Sequence, residues 1–287
     1  MRWRLFLLKY RIRIMLVTAY ILSLGYAYWI EPHFPWLSRW QVEPPGGVGE
    51  SIRVVQLSDV HLRRFGDLEK RVVARLQEIK PDLIVLTGDM VFNDQSVEFL
   101  EQLLAELQPI APVLGVRGNW EHYTNVTLAR YRQVYEKYGA RLLNNESVTL
   151  TLAERGVLVT GLDDSLAGEP NVPDALRGIT PQDNHLVLIH SPDYYDLLPA
   201  FVDNVNRMRK DGLSFRPTFV LAGHTHGGQV TFFGYAIKTA PGSGDYVSGW
   251  YGEGWPRLYV SRGIGTSILP IRFFAPPEIV LFEWRLQ

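Results

Sequence analysis

The sequence predicts an α/β protein built in layers, and two observations carry that prediction. From Ser51 onward, short apolar runs alternate with amphipathic stretches at helical spacing. In the last third the strand-like runs become denser (LYVSRG, EIVLFEWRL), so helices and strands do not simply alternate to the end.

The runs Val54–Leu57, Leu83–Leu86, Val113–Val116, Val157–Val159, Leu186–Ile189 and Phe219–Ala222 have the length and composition of buried strands. Between the first two, Leu68, Val72, Val73, Leu76 and Ile79 recur at helical spacing. Leu100, Leu103, Leu104 and Leu107 do so between the next two, with Ser96 as an N-cap. Leu128, Tyr131, Tyr135 and Tyr138 make a third helix that Gly139 ends. With 287 residues, 46% of them hydrophobic, the chain can bury a large core. It has no cysteine, which excludes disulfides, thiolate metal sites and cysteine nucleophiles.

Arg2, Arg4, Lys9, Arg11 and Arg13 precede the first acid, Glu31, and Ile14 to Ile30 carries no charge. That pattern predicts an uncleaved membrane anchor with its basic flank in the cytoplasm and the remaining chain outside. No small-residue cleavage motif stands out; Ala27 lies between two tyrosines. Pro32, Pro35, Pro44, Pro45, Gly46 and Gly47 read as a stalk. The expected divisions are a basic flank and anchor over 1–31, a Pro/Gly stalk over 32–50 and a folded domain over 51–287. Without the five leading basic residues the chain is acidic on balance, which argues against nucleic acid as a partner.

The polar residues of interest each follow an apolar run. They are Ser58-Asp59-Val60-His61, Gly88-Asp89, Gly118-Asn119, His190 and Gly223-His224-Thr225-His226. In open α/β sheets the carboxyl ends of strands are where ligands bind. Asp59 and His61, two apart in an extended loop, can share one metal, and His224 and His226 repeat that spacing. Asp89 has two carboxylate oxygens with which to bridge two ions. Asn119 offers an amide oxygen and His190 an imidazole nitrogen. The glycines let backbone approach the ions. Two divalent cations so held can polarise a phosphoryl group and keep a hydroxide between them for in-line attack.

Through LSDVHL, LTGDM, RGN, IHSP and AGHTHGGQ the sequence resembles the calcineurin-like metallophosphoesterases. Its GHTHGGQV and YVSRGIGTSILPIRFFAPPEIVLFEWR stretches are similar to a membrane-associated bacterial branch of YkuE-like and YaeI-like phosphodiesterases. The resemblance implies a four-layer α/β/β/α sandwich with a dinuclear centre. It places one ion on Asp59, His61 and His226, the other on Asn119, His190 and His224, with Asp89 between them. Imidazoles among oxygen ligands suit Mn, Zn or Fe better than Ca or Mg.

The family usually writes its third motif GNH followed by an acid, and here it is Gly118-Asn119-Trp120-Glu121. An indole has no proton to give at working pH, and acid assistance is typically worth ~10²–10⁴-fold. Three accounts stay open. His122 takes the histidine's place; the leaving group needs no acid, as with a diphosphate; or the protein holds metals and catalyses little. Trp120 and Arg262 are candidate substrate contacts, with Arg272 meeting a phosphate or bracing a loop. His185 reads as exposed, and Trp250, Tyr251 and Trp255 as core aromatics or a pocket lining. Leu197, Leu198, Phe201, Val205 and Met208 form a stripe suited to a core helix or a lid.

The expectation is a single-pass membrane phosphoesterase that hydrolyses a phosphodiester or diphosphate in a lipid-linked or envelope substrate. Asp89, Asn119 and His122 are its expected catalytic residues. The alternatives are a UDP-2,3-diacylglucosamine pyrophosphatase at the cytoplasmic face and a metal-holding binding protein.

Overall fold

The computed structural model describes residues 2–254 and 256–287, with the backbone alone for residue 2 and residues 4–8. Two six-stranded sheets lie face to face. The first runs β1 (Trp36–Val42), β14 (Glu278–Arg285), β2 (Ser51–Leu57), β3 (Leu83–Thr87), β4 (Val113–Val116), β5 (Arg141–Leu142). The second runs β12 (Gly249–Tyr251), β13 (Arg257–Val260), β9 (Phe219–Ala222), β8 (Asn184–Leu188), β7 (Arg155–Gly161), β6 (Glu146–Leu152). A short hairpin, β10 (Thr231–Phe232) and β11 (Tyr235–Ala236), stands apart from both.

All six apolar runs of the sequence are strands. They are buried because both faces of each sheet are covered, the situation that favours continuous Val/Ile/Leu strands. Helices α2 (Asp67–Ile79), α3 (Val97–Leu107) and α5 (Leu128–Lys137) put Leu76, Leu104 and Tyr131 against the outer face of the first sheet. Between the sheets lie Leu83, Leu186, Phe219, Phe282 and Trp284. Trp284 meets Phe219 edge-on at 4.9 Å, and truncating so buried an indole costs ~3–5 kcal/mol. α6 (Val172–Ala175) and α7 (Leu198–Met208) close the far side over Val187 and Val220. The result is an α/β/β/α sandwich. The third helix ends as expected at Gly139, at φ +65°. Ser96 does not cap α3 with its side chain; Asn93 instead caps a preceding 3₁₀ turn, accepting from the Ser96 N–H.

Three expectations need correction. Part of the 32–50 stalk is β1, which pairs in parallel with β14 from Trp36↔Glu278 to Val42↔Trp284. His185 is buried, because β8 lies between β7 and β9 and is covered on both faces from its first residue. In the expected stripe of α7, Leu198 and Val205 reach the core, whereas Leu197, Phe201 and Met208 stay exposed.

The N-terminal α1 (Arg2–Gly25) continues through a π-helical turn, Tyr26–Ile30, into a 3₁₀ turn, Glu31–His33. Among the described residues, Lys9–His33 is the one helical segment long and apolar enough to cross a membrane, and it lies almost wholly outside the core. α4 (Asn119–Tyr123) is a single turn at the end of β4, and the metal site is built around it.

Candidate metal centre

The loops after β2, β3, β4, β8 and β9 meet at one edge of the sandwich and form two buried triads. Asp59, His61 and His226 form one, and Asp89, His190 and His224 the other. His224 and His226, close in sequence, divide between the triads rather than sharing one. Asp89 Oδ2 lies 3.2 Å from His190 Nε2 and 3.6 Å from His61 Nε2, so it faces both. Asn119 Oδ1 completes the second group, 3.0 Å from His224 Nδ1 and 3.2 Å from His190 Nε2.

The backbone is bent to make this possible. Asp59, His61, Asp89, His224 and His226 all have φ between 45° and 73°, a left-handed conformation unfavourable for residues with a side chain. Five such residues in one site are strain held by the surrounding fold. Two glycines allow the loops to touch. A Cβ on Gly118 would lie 2.3 Å from Asp89 Oδ1, and one on Gly223 would lie 1.9 Å from Ser58 Oγ.

The donor set fits cations. His190 Nδ1–H donates to the Thr87 carbonyl at 2.8 Å, so Nε2 is the nitrogen that faces Asp89 and would take a metal; against burial, Asp89 holds the His190 pKa well above its ordinary value. His224 Nε2–H donates to the Pro241 carbonyl at 2.6 Å, leaving Nδ1 toward Asn119. His61 and His226 bring Nε2 atoms within 3.0 Å of each other, an approach a cation between the rings would relieve. Burial pushes His61 down to about 4, so it is neutral, the ligating form. Burial also pushes Asp59 up to about 6, offset by His190 and by the His224 N–H at 3.0 Å. For Asp89, burial works upward, but His190 and His61 hold its carboxyl below the usual range.

A family model described as calcineurin-like phosphoesterase matches residues 52–228, which carry both triads. The chain belongs to that family. It is 32% identical over 272 residues to the uncharacterized metallophosphoesterase YkuE of Bacillus subtilis (strain 168), covering 91% of this chain and 89% of that one. It is 30% identical over 250 residues to an uncharacterized metallophosphoesterase of Aquifex aeolicus (strain VF5), covering 81% and 85%. It is 28% identical over 265 residues to phosphodiesterase YaeI of Escherichia coli (strain K12), covering 90% and 92%. Fold and triads together make this calcineurin-like chain a metal-dependent phosphoesterase.

Trp120 stands in this calcineurin-like site where the family's usual histidine would be. Its backbone N–H donates to Asp89 Oδ1 at 2.8 Å, and its ring meets His61 edge-on at 4.9 Å. Phe92 stacks on its other side at 5.0 Å, with the Arg63 guanidinium 3.6 Å above Phe92. Trp120, Asp89, Asn119, His224 and His226 line a cleft of about 560 Å³ whose other walls include Leu166, Val230, Ile268 and Leu269.

His122 is not among the residues lining that cleft; its Nε2 lies 2.8 Å from Asp163 Oδ1, a carboxylate shared with Arg117 at 3.1 Å. Arg262 is likewise engaged elsewhere, 3.0 Å from Glu278 Oε1. Arg272 braces a loop: fully buried, it donates to the carbonyls of Gly265, Ala275 and Arg262. Half-buried Trp250 packs on Tyr259 and Phe282 at the edge of the core, and Trp255 lies outside the described residues.

Glu121 is a supporting residue whose role the sequence did not reveal. Its carboxylate accepts the backbone N–H groups of Gly118, Asp89, Met90 and Val91 and so joins the Gly-Asp and Gly-Asn loops. Burial and Asp89 push it up to about 7 against those four donors. The only local trace is a Glu three residues after Gly118, the spacing of a capping box.

Proposed function

We propose that the chain hydrolyses a phosphodiester or diphosphate bond in a lipid-linked or envelope substrate. One observation carries the reading most strongly: two triads lie side by side, with Asp89 of one facing both, at a cleft with largely apolar walls. In this reading Asp59, His61 and His226 hold one ion, Asn119, His190 and His224 the other, and Asp89 both. Mn, Zn or Fe suits that donor set. Two divalent ions there supply Lewis-acid polarisation of the phosphoryl group and activation of water. The chain's own residues fix the ligand tautomers through Thr87 and Pro241 and keep the loops in register through Glu121.

Trp120 gives Asp89 only its backbone N–H and sets an indole ring against His61, so it brings no acid to the site. The substrate class that suits it has a leaving group of low pKa, which departs without a proton. The similarity to YkuE and YaeI over about nine tenths of this chain supports placement in their branch. The basic flank and the apolar helix support a single-pass anchor with the catalytic domain outside the cytoplasm.

A panel of monoesters, diesters and pyrophosphates, lipid-borne and soluble, assayed with the metal-loaded full chain tests the reading. Diesters and diphosphates should be cleaved and alkyl monoesters not. A preference for alkyl monoesters would overturn it.

A further inference from the structure

We propose that the β10–β11 hairpin and the Ile268–Leu269 loop insert into the bilayer that holds α1, so that the metal cleft opens on the membrane surface. The inference rests on reading α1 as an anchor, and it adds where the catalytic domain sits on the membrane.

The first observation is the hairpin itself. Phe232, Phe233, Tyr235 and Ile237 all point into solvent, with Phe233 83% and Tyr235 80% exposed. Ile268, at 79%, Leu269 and Phe274 extend the same patch. The pieces are joined: the Thr231 N–H donates to the Phe273 carbonyl at 2.9 Å, and Gln229 Nε2 donates to the Leu269 carbonyl at 2.9 Å. Taking aromatic and aliphatic side chains out of water is strongly favourable, so this cluster forgoes a large gain unless something apolar covers it.

The second observation is where the anchor leaves the domain. The Arg272 N–H donates to the Ala27 carbonyl at 3.0 Å. The Glu31 carboxylate accepts the N–H groups of Phe274 at 2.9 Å and Ala275 at 2.6 Å. Tyr26 and Phe273 meet edge-on at 6.3 Å. The end of the apolar helix is therefore fastened to the loop that carries the patch.

Topology supplies the third. β1 starts opposite Glu278, and β14 is antiparallel to β2, with Val280 opposite Gln56. The anchor thus emerges at the edge where β2 delivers Asp59. His61 lines a second cleft whose facing wall is Tyr28, Trp29, Pro32 and His33. Tyr and Trp are the residues that settle at the level of lipid headgroups. Arg63 and Arg64 in that cleft, and Lys238 at the mouth of the metal cleft, offer cations to phosphate headgroups. The occupant these features fit is a lipid bilayer, and the substrate that reaches the cleft from it is an amphiphilic phosphate ester.

The absence of cysteine makes the test direct, since one introduced cysteine is the sole labelling point. Phe233→Cys and, separately, Val48→Cys are labelled with an environment-sensitive fluorophore in the full chain. Each is reconstituted in phosphatidylcholine–phosphatidylglycerol vesicles containing nitroxide lipid. Val48 lies beyond the far end of β1, whose seven residues span ~20 Å. Quenching at 233 should exceed quenching at 48 at least three-fold; equal quenching overturns the proposal. In the same vesicles, Phe232→Asp with Phe233→Asp should slow a lipid-borne phosphodiester ten-fold or more and leave a soluble activated diester unchanged. Unchanged lipid turnover also overturns it. Release of the unmodified chain by alkaline carbonate would overturn the anchor reading itself, whereas a retained chain with an unquenched label at 233 would overturn only the inserted hairpin.

Discussion

The Glu121 carboxylate accepts the Asp89 backbone N–H at 2.9 Å, tying a helical turn after β4 to the loop whose side chain faces both triads. Two further donors from the same loop and one from Gly118 end on it. Its importance is geometric: it holds Asp89 at a φ of 54°.

Removing that acceptor should loosen the metals before it touches the chemistry. Glu121→Gln keeps the shape but loses the charge, and outer-shell partners of metal ligands are typically worth ~10–100-fold in metal affinity. Calorimetric titration of the metal-free variant should show such a fall. Glu121→Ala, which strands four buried N–H groups, should cost upward of about 3 kcal/mol in denaturant unfolding. Native metal affinity in Glu121→Gln would refute the role.

Trp120 and His122 make separable predictions. Trp120→His should raise kcat for alkyl diesters ~10-fold or more while leaving nitrophenyl diesters within about three-fold. His122→Ala should leave kcat near native and lower stability by ~1–3 kcal/mol, because Asp163 loses a partner. A drop of 10²-fold in kcat for His122→Ala would return that residue to the chemistry.

His185 provides a pH test away from the metals. Burial pushes its pKa down to about 3, while an unfolded histidine titrates near 6.5. The unfolded state therefore takes up the proton first, and stability falls as pH drops through 6.5 toward 3. Between pH 7 and 5 this group alone should remove about 2 kcal/mol. His185→Gln, which keeps a donor for Thr160, should lack that component. Identical acid slopes in the two proteins would rule it out.

What could be read from the chain was local. Each candidate ligand closely follows an apolar run, so Asp59, His61, Asp89, Asn119, His190, His224 and His226 were visible as strand ends without any knowledge of pairing. β1 was not, because WLSRWQV lacks a continuous apolar run and gains its partner from β14 at the other end of the chain. Arg262 looked free because nothing near it in sequence announces Glu278. His185 looked exposed because burial at the start of β8 comes from its neighbours in the sheet. The division of His224 and His226 between triads depends on left-handed backbone that spacing alone does not disclose.

In the proposed function, Asp89 joins two metal sites into one hydrolytic centre. The measurement that tests it is turnover of an activated phosphodiester by the full chain, with bound metal counted in the same samples and in Asp89→Asn. The native chain should carry two equivalents of Mn, Zn or Fe and show measurable turnover. Asp89→Asn should show fewer than two equivalents and a loss of at least ~10³-fold in rate. A native chain that carries two equivalents and hydrolyses nothing, or an Asp89→Asn variant that keeps native turnover, would contradict it.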